Sequence, residues 1–232
     1  MSKTLVKRST RPGAKTRDGI LDAAEKLFAE YGYDGTSMRD IAAAAEAELG
    51  TLGYHFTSKE NIFANVLQRR SPDSAEVLRG SLIKARQTFG DQLSVEKIIE
   101  AFSQPQFAML HKNDPGHLSY QRIVTQRVPV ENNGKLHAAI AEYYLPVREL
   151  YLEALETALP GATKSKLDWG FSLFELSFGN TLFGATRHRL GLHDMGKREL
   201  ANLERDHIAL FTAAFLQMDN SSKSSATLLR AG

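Results

Sequence analysis

Leu49-Gly50-Thr51-Leu52-Gly53-Tyr54-His55-Phe56-Thr57-Ser58-Lys59-Glu60 is the stretch on which the reading of this chain turns. It has the pattern of a short polar and aromatic helix followed at once by the start of another. Phe56 is placed to anchor the short helix to a core, and Thr57 or Ser58 to cap the next one. Lys59 then stands in a first helical turn, where the backbone favours negative charge. That position makes sense if the helix N-terminus and the ammonium both face a phosphate, which backbone N–H groups and a lysine bind together. A solvated turn between two core helices would carry the same caps, so the flanking sequence has to decide.

Upstream, Ile20, Leu21, Ala24, Leu27, Phe28 and Tyr31 fall on one apolar stripe of an amphipathic helix that Gly32 would end. Ser37-Met38-Arg39-Asp40 has capping-box spacing, with a hydroxyl at the cap and a carboxylate three residues on. A second helix is therefore expected from about Met38 to Ala45. Three residues, Glu46 to Glu48, separate it from the short helix, which is the connection length of a helix-turn-helix.

From Thr16 to about Gln68 the chain resembles the DNA-binding domain of the TetR family of transcriptional repressors. The resemblance rests on Ile20, Ala24, Leu27, Phe28, Gly32, Thr36, Ile41, Ala42, Ala45, Gly50, Thr51, Leu52, Tyr54, Phe56, Ser58 and Lys59. It implies that the short helix is the recognition helix. Leu49, Gly50, Thr51 and His55 would then contact bases or backbone, Tyr54 and Lys59 phosphates, with Thr36, Ser37 and Arg39 supporting from the start of the second helix. Three positions depart from the family pattern. Glu46 replaces the usual turn glycine, where a positive φ would cost a side-chain-bearing residue on the order of 1 kcal/mol. Glu48 replaces a Ser or Thr cap, and Gly53 an aromatic residue.

Charge is informative once located. The chain totals +2, with 11 Lys or Arg against 9 Asp or Glu in residues 1–70 and 18 of each in the remainder. Lys3, Lys7, Arg8, Arg11, Lys15 and Arg17 precede the first helix with Asp18 alone against them. Such an arm can follow phosphates or enter a minor groove, or serve as a solvated tail. No cysteine is present, so thiolate chemistry and disulfides are excluded. No apolar run approaches the roughly 18 residues of a membrane span, which leads to the expectation of a cytoplasmic protein with no membrane partner.

Ser71-Pro72-Asp73 reads as a helix stop and restart, and nothing downstream alternates as a strand would. Helices are expected at about 74–89, 94–112 with a break near Pro105, 116–128, 134–159 bent at Pro146, 165–190 and 197–218. The fold class is thus all-α. A basic arm and helix-turn-helix domain should cover residues 1–70, a helical effector and dimerisation domain 71–218, and a frayed tail 219–232. The segment Trp169 to Thr186 is aromatic and small on more than one side, so it should be buried twice. Phe171, Phe178 and Leu182 there, with Phe211 and Phe215 on the last helix, are the expected dimer contacts in a two-fold four-helix interface.

A ligand would enter among the middle helices, with Phe102, Phe107, Leu110, Ile123, Tyr143, Tyr144 and Phe174 as apolar lining and Arg122 as a polar fixture. Ordinary core packing is the alternative for each. The segment from about Tyr120 to Trp169 is loosely similar to the C-terminal domain of a fatty-acid-responsive subgroup of the same family, which implies a hydrophobic effector such as an acyl chain.

Enzymatic readings fare poorly. Gly191 to Lys197 imitates a phosphate loop, but Arg198 stands where a Mg²⁺-binding hydroxyl belongs. Glu204-x-x-His207 has di-iron spacing without a second copy. The expectation is a homodimeric repressor of a double-stranded DNA operator, released by a small hydrophobic effector, with no cofactor, metal or catalytic residue. The alternatives are an effector-independent DNA binder, or a helical ligand-binding protein or enzyme with a vestigial DNA domain.

Overall fold

The computed structural model describes residues 12–112, 114–127, 134–184, 189, 191 and 195–229, and the regular structure among them is helical throughout. The basic residues Lys3, Lys7, Arg8 and Arg11 lie outside that range. Helix α1 (Pro12–Tyr31) opens on a proline, whose missing N–H is no loss at the first position, and ends at Gly32 with φ 76°. The α2 helix (Met38–Ala44) carries the expected capping box: Asp40 N donates to Ser37 Oγ at 3.1 Å and Ser37 N to Asp40 Oδ2 at 2.8 Å. Its end is a Schellman motif, Ala47 N bonding Ala42 O at 2.9 Å and Glu46 N bonding Ala43 O at 3.2 Å. Glu46 sits at the left-handed position with φ 50°. The glutamate therefore leaves the turn in the shape that glycine favours, strain included.

Helix α3 (Leu49–His55) follows, then α4 (Lys59–Phe89), capped by Ser58, whose Oγ accepts from Asn61 N at 3.1 Å. The α4 helix runs unbroken through Pro72, so the expected stop at residue 71 does not occur. A mid-helix proline costs about 3 kcal/mol. Burying Ile62, Phe63, Val66, Leu67, Ala75, Leu78 and Leu82 along one rod outweighs that, at roughly 1.5–3 kcal/mol for each large side chain. The Ser71 hydroxyl donates to Leu67 O at 2.8 Å beside the proline.

A 3₁₀ turn (Gly90–Gln92) leads to α5 (Val95–Lys112), α6 (Pro115–Arg122) with a wide π turn (Ile123–Arg127), α7 (Gly134–Ala158), α8 (Lys164–Phe183) and α9 (Lys197–Leu229). Pro105 and Pro146 lie inside continuous helices, so the expected break at 105 is also absent. The α8 helix stops at Gly184, short of 190, while α9 continues past 218 because neither Gly nor Pro interrupts it before 229. Asp219 accepts from Gly161 N at 2.6 Å, so the chain at 219 is tied to the body, not frayed from it.

Two apolar cores result. One joins α1 to α3 with the start of α4 and includes Tyr120 and Ile123 of the α6 segment. The other is built from the rest of α4 with α5, α7, α8 and α9, and Leu118 of α6 packs against it. Helices α4 and α6 thus belong to both.

Candidate DNA-reading face and ligand cavity

Leu52 and Phe56, both fully buried, pin α3 by one side. The helical period then turns Leu49, Gly50, Gly53 and Tyr54 to solvent, with Tyr54 85% exposed and Leu49 48% exposed. Thr51 and His55 are half-buried at the margins, and Arg39 is exposed on the first turn of α2. Of the expected contacts, Leu49, Gly50 and Tyr54 on α3 and Arg39 on α2 are thus accessible, and Thr51 and His55 partly so. Thr36 does not join them: its side chain is buried and donates to Gly32 O at 2.8 Å. Ser37 is occupied as the α2 cap.

Lys59 has a second task that the sequence did not reveal. Its Nζ donates to Tyr33 O at 2.8 Å and lies 4.0 Å over the Tyr33 ring, fastening the α1–α2 loop to the head of α4. An ammonium has three donors, so a phosphate can still be shared. Arg17, read as part of the basic arm, donates to Asn65 Oδ1 at 2.5 Å and stacks 5.1 Å from the Phe56 ring. It serves packing. Glu48 is the backbone cap of α3 but makes no side-chain cap bond.

Behind this face, Glu25 is buried and accepts from both Arg69 and Arg70, at 2.5 and 2.6 Å. The Arg70 guanidinium also packs so tightly on Gly116 that a Cβ there would collide with it. Helices α1, α4 and α6 are thereby locked at one junction. The outward signal was a glutamate set into the apolar stripe of α1.

A cavity of about 390 Å³ opens between α4, α5, α6, α7 and α8. Phe102, Tyr143 and Tyr144 line it, as the sequence suggested. Phe107, Leu110 and Phe174 instead lie in the surrounding core, because α5 and α8 turn those faces toward α9 and one another. Ile123 belongs to the core of α1 to α3, and Arg122 is not on the wall. Missed in the sequence were the polar lining residues Ser71, Ser74, Gln106, Gln121 and Thr125, with Glu175 on α8. Glu175 is the lone charged residue between Trp169 and Phe183, which was the available signal. Burial pushes its carboxyl up to about 8.

Helices α8 and α9 also correct the expected dimer contacts. Phe171, Phe178, Leu182 and Phe215 are each at most 1% exposed, already packed inside their own protomer, and Phe211 is half-buried against Phe174 and His207. The apolar side chains left on the outer surface are Trp169, Leu173 and Leu176 on α8 and Leu210 and Leu216 on α9. An apolar content on two sides does not say which side faces in. The larger rings went inward.

The comparisons with known proteins match this architecture in both halves. Residues 20–66 match the model of bacterial regulatory proteins of the tetR family, and residues 100–214 that of a tetracyclin repressor-like C-terminal domain. This chain belongs to the TetR family. It is 46% identical over 65 residues to the transcriptional repressor ComR of Escherichia coli, covering 28% of this chain and 31% of ComR. It is 30% identical over 128 residues to the transcriptional regulator UidR of the same organism, covering 49% and 64%. The match thus spans less than two thirds of either relative. Among solved structures, a TetR-family regulator from Bordetella parapertussis superposes with a TM-score of 0.61 at 21% identity over 84% of this chain and 93% of that one. The fatty acid degradation regulator FadR of Bacillus halodurans gives 0.53 at 20% identity over 88% and 97%. FadR of Bacillus subtilis, solved with stearoyl-CoA, gives 0.52 at 19% over 84% and 97%. At these identities the solved structures speak for the TetR fold. Within it, Glu46 in a left-handed turn and the uncapped α3 are features of this chain's own sequence.

Proposed function

We propose that the protein is a ligand-responsive transcriptional repressor that binds a palindromic operator as a homodimer and leaves it when a small hydrophobic effector fills the cavity. The observation that carries this reading is the sharing of α6. Tyr120 and Gln121 line the cavity, while Tyr120 and Ile123 are also part of the core beneath the DNA-reading face. The Tyr120 hydroxyl donates to Ser71 Oγ at 3.0 Å on the cavity wall. A ligand that displaces α6 must disturb both, and the packed junction at Glu25, Arg70 and Gly116 passes the displacement to α1. Binding of effector and operator would then be antagonistic by the same factor in each direction.

A single α3 reads a few base pairs, and two copies are needed to read half-sites about 34 Å apart. The outer stripe of Trp169, Leu173 and Leu176 with Leu210 supplies an apolar face for the second copy. An effector-independent DNA binder would have no use for a cavity of this size. Selection of bound fragments from genomic DNA tests the reading: an inverted repeat should emerge, and its absence would contradict operator recognition.

A further inference from the structure

The cavity wall carries chemistry that selects among hydrophobic effectors, and this selection rests on the cavity being the effector site. Among the described residues, the lining has one ionisable acid, Glu175, and no cation. Behind the carboxylate stands Arg148, which is shared: its Nε reaches Glu175 Oε2 at 3.1 Å and its Nη1 reaches Asp168 Oδ1 at 2.6 Å. Its Nη2 donates to Ser172 Oγ at 2.9 Å, so every guanidinium nitrogen is engaged. One cation thus faces two carboxylates, so Arg148 has no positive charge left over for a ligand anion. The Tyr144 hydroxyl also donates to Glu175 and leaves the second lone pair of each carboxylate oxygen for a ligand.

We infer that the effector is a compact apolar molecule bearing a cationic amine, which Glu175 receives, and not a carboxylate or an acyl thioester. An anionic head would force Glu175 to stay protonated or meet it as a like charge, and the described lining residues include no cation to offset it. A volume of about 390 Å³ lies near the small end of the roughly 300–1,000 Å³ of ligand pockets, so a nucleotide-bearing thioester cannot enter whole. The lining hydroxyls and amides of Ser74, Gln106 and Gln121 suit a neutral polar substituent. Burial holds the carboxyl near 8 when empty, and a cation beside it draws it back toward the ionised form.

The test is calorimetric binding of decylamine, decanol and decanoate to the full chain, repeated on Glu175→Gln and on the cavity-filling Ser74→Phe. The amine should bind at least about tenfold tighter than the alcohol, as one charge-assisted hydrogen bond is worth, with decanoate weakest. Glu175→Gln should bring amine and alcohol together, and Ser74→Phe should abolish both. If alcohol and amine bind equally, if Glu175→Gln keeps the amine preference, or if decanoate binds best, the charge assignment is overturned while the effector cavity stands. If none of the three binds, or Ser74→Phe changes nothing, the cavity reading falls with it.

Discussion

Glu46 holds a left-handed conformation that costs a side-chain-bearing residue about 1–2 kcal/mol. Its side chain is exposed, so nothing in the core is lost by removing it. Glu46→Gly should raise unfolding stability by about 1 kcal/mol in a denaturant melt, and an unchanged midpoint would mean the turn is not strained. His207 is a second stressed residue. Its imidazole is buried among Phe174, Phe178 and Phe211 with neither nitrogen partnered, and burial lowers it from 6.5 to about 4. As pH falls, the unfolded chain takes its proton first. The stability this group permits is full above about 6.5 and is lost toward 4, by about 3 kcal/mol. His207→Leu should flatten the stability profile across that window; an unaltered acid limb would place the titration elsewhere. At the proposed DNA-reading face, Tyr54→Ala should leave stability unchanged, since the ring is exposed, and weaken binding to all sequences alike if its partner is a phosphate. A changed sequence preference, read by competition among duplexes, would instead make it a base contact. The caps of α2 and α4 and the Phe56 anchor were legible because they depend on near neighbours. The bond from Lys59 to Tyr33 was not, because it spans 26 residues and ends on a carbonyl.

At the scale of elements, local rules failed where long-range packing outvoted them. Pro72 should end a helix, and α4 ignores it because its buried side chains serve both cores at once. The α8 helix has its apolar residues spread over more than one side, so periodicity found no single face there and the outer stripe stayed hidden until α9 was seen to cover Phe174 and Phe178. Helix identity and order, by contrast, followed from spacing, capping residues and glycines such as Gly32. The two faces of α8 separate in a paired experiment. Leu173→Asp, or Leu210→Asp on α9, changes an exposed position and should leave a folded monomer by circular dichroism and sedimentation. Phe178→Asp buries an unpaired carboxylate and should unfold the larger core, at several kcal/mol. A Leu173→Asp, Leu210→Asp double variant that remained dimeric would move the interface to another surface.

Across the whole molecule, α4 and α6 make one body of what the sequence divided at residue 70. The TetR-like helix-turn-helix was legible, since it is carried by a contiguous motif. The cavity wall was not, because its residues come from five helices and their convergence depends on how those helices cross. No helix among the described residues is long and apolar enough to cross a membrane. The central claim is sequence-selective operator binding. It is tested most directly by fluorescence anisotropy with the selected inverted repeat and a scrambled duplex, each titrated at low and moderate salt. The repeat should bind at least about 10³-fold tighter than the scrambled duplex. Both affinities should fall steeply with salt as phosphate counterions are released. Equal affinity for the two duplexes, or binding indifferent to salt, would contradict the account.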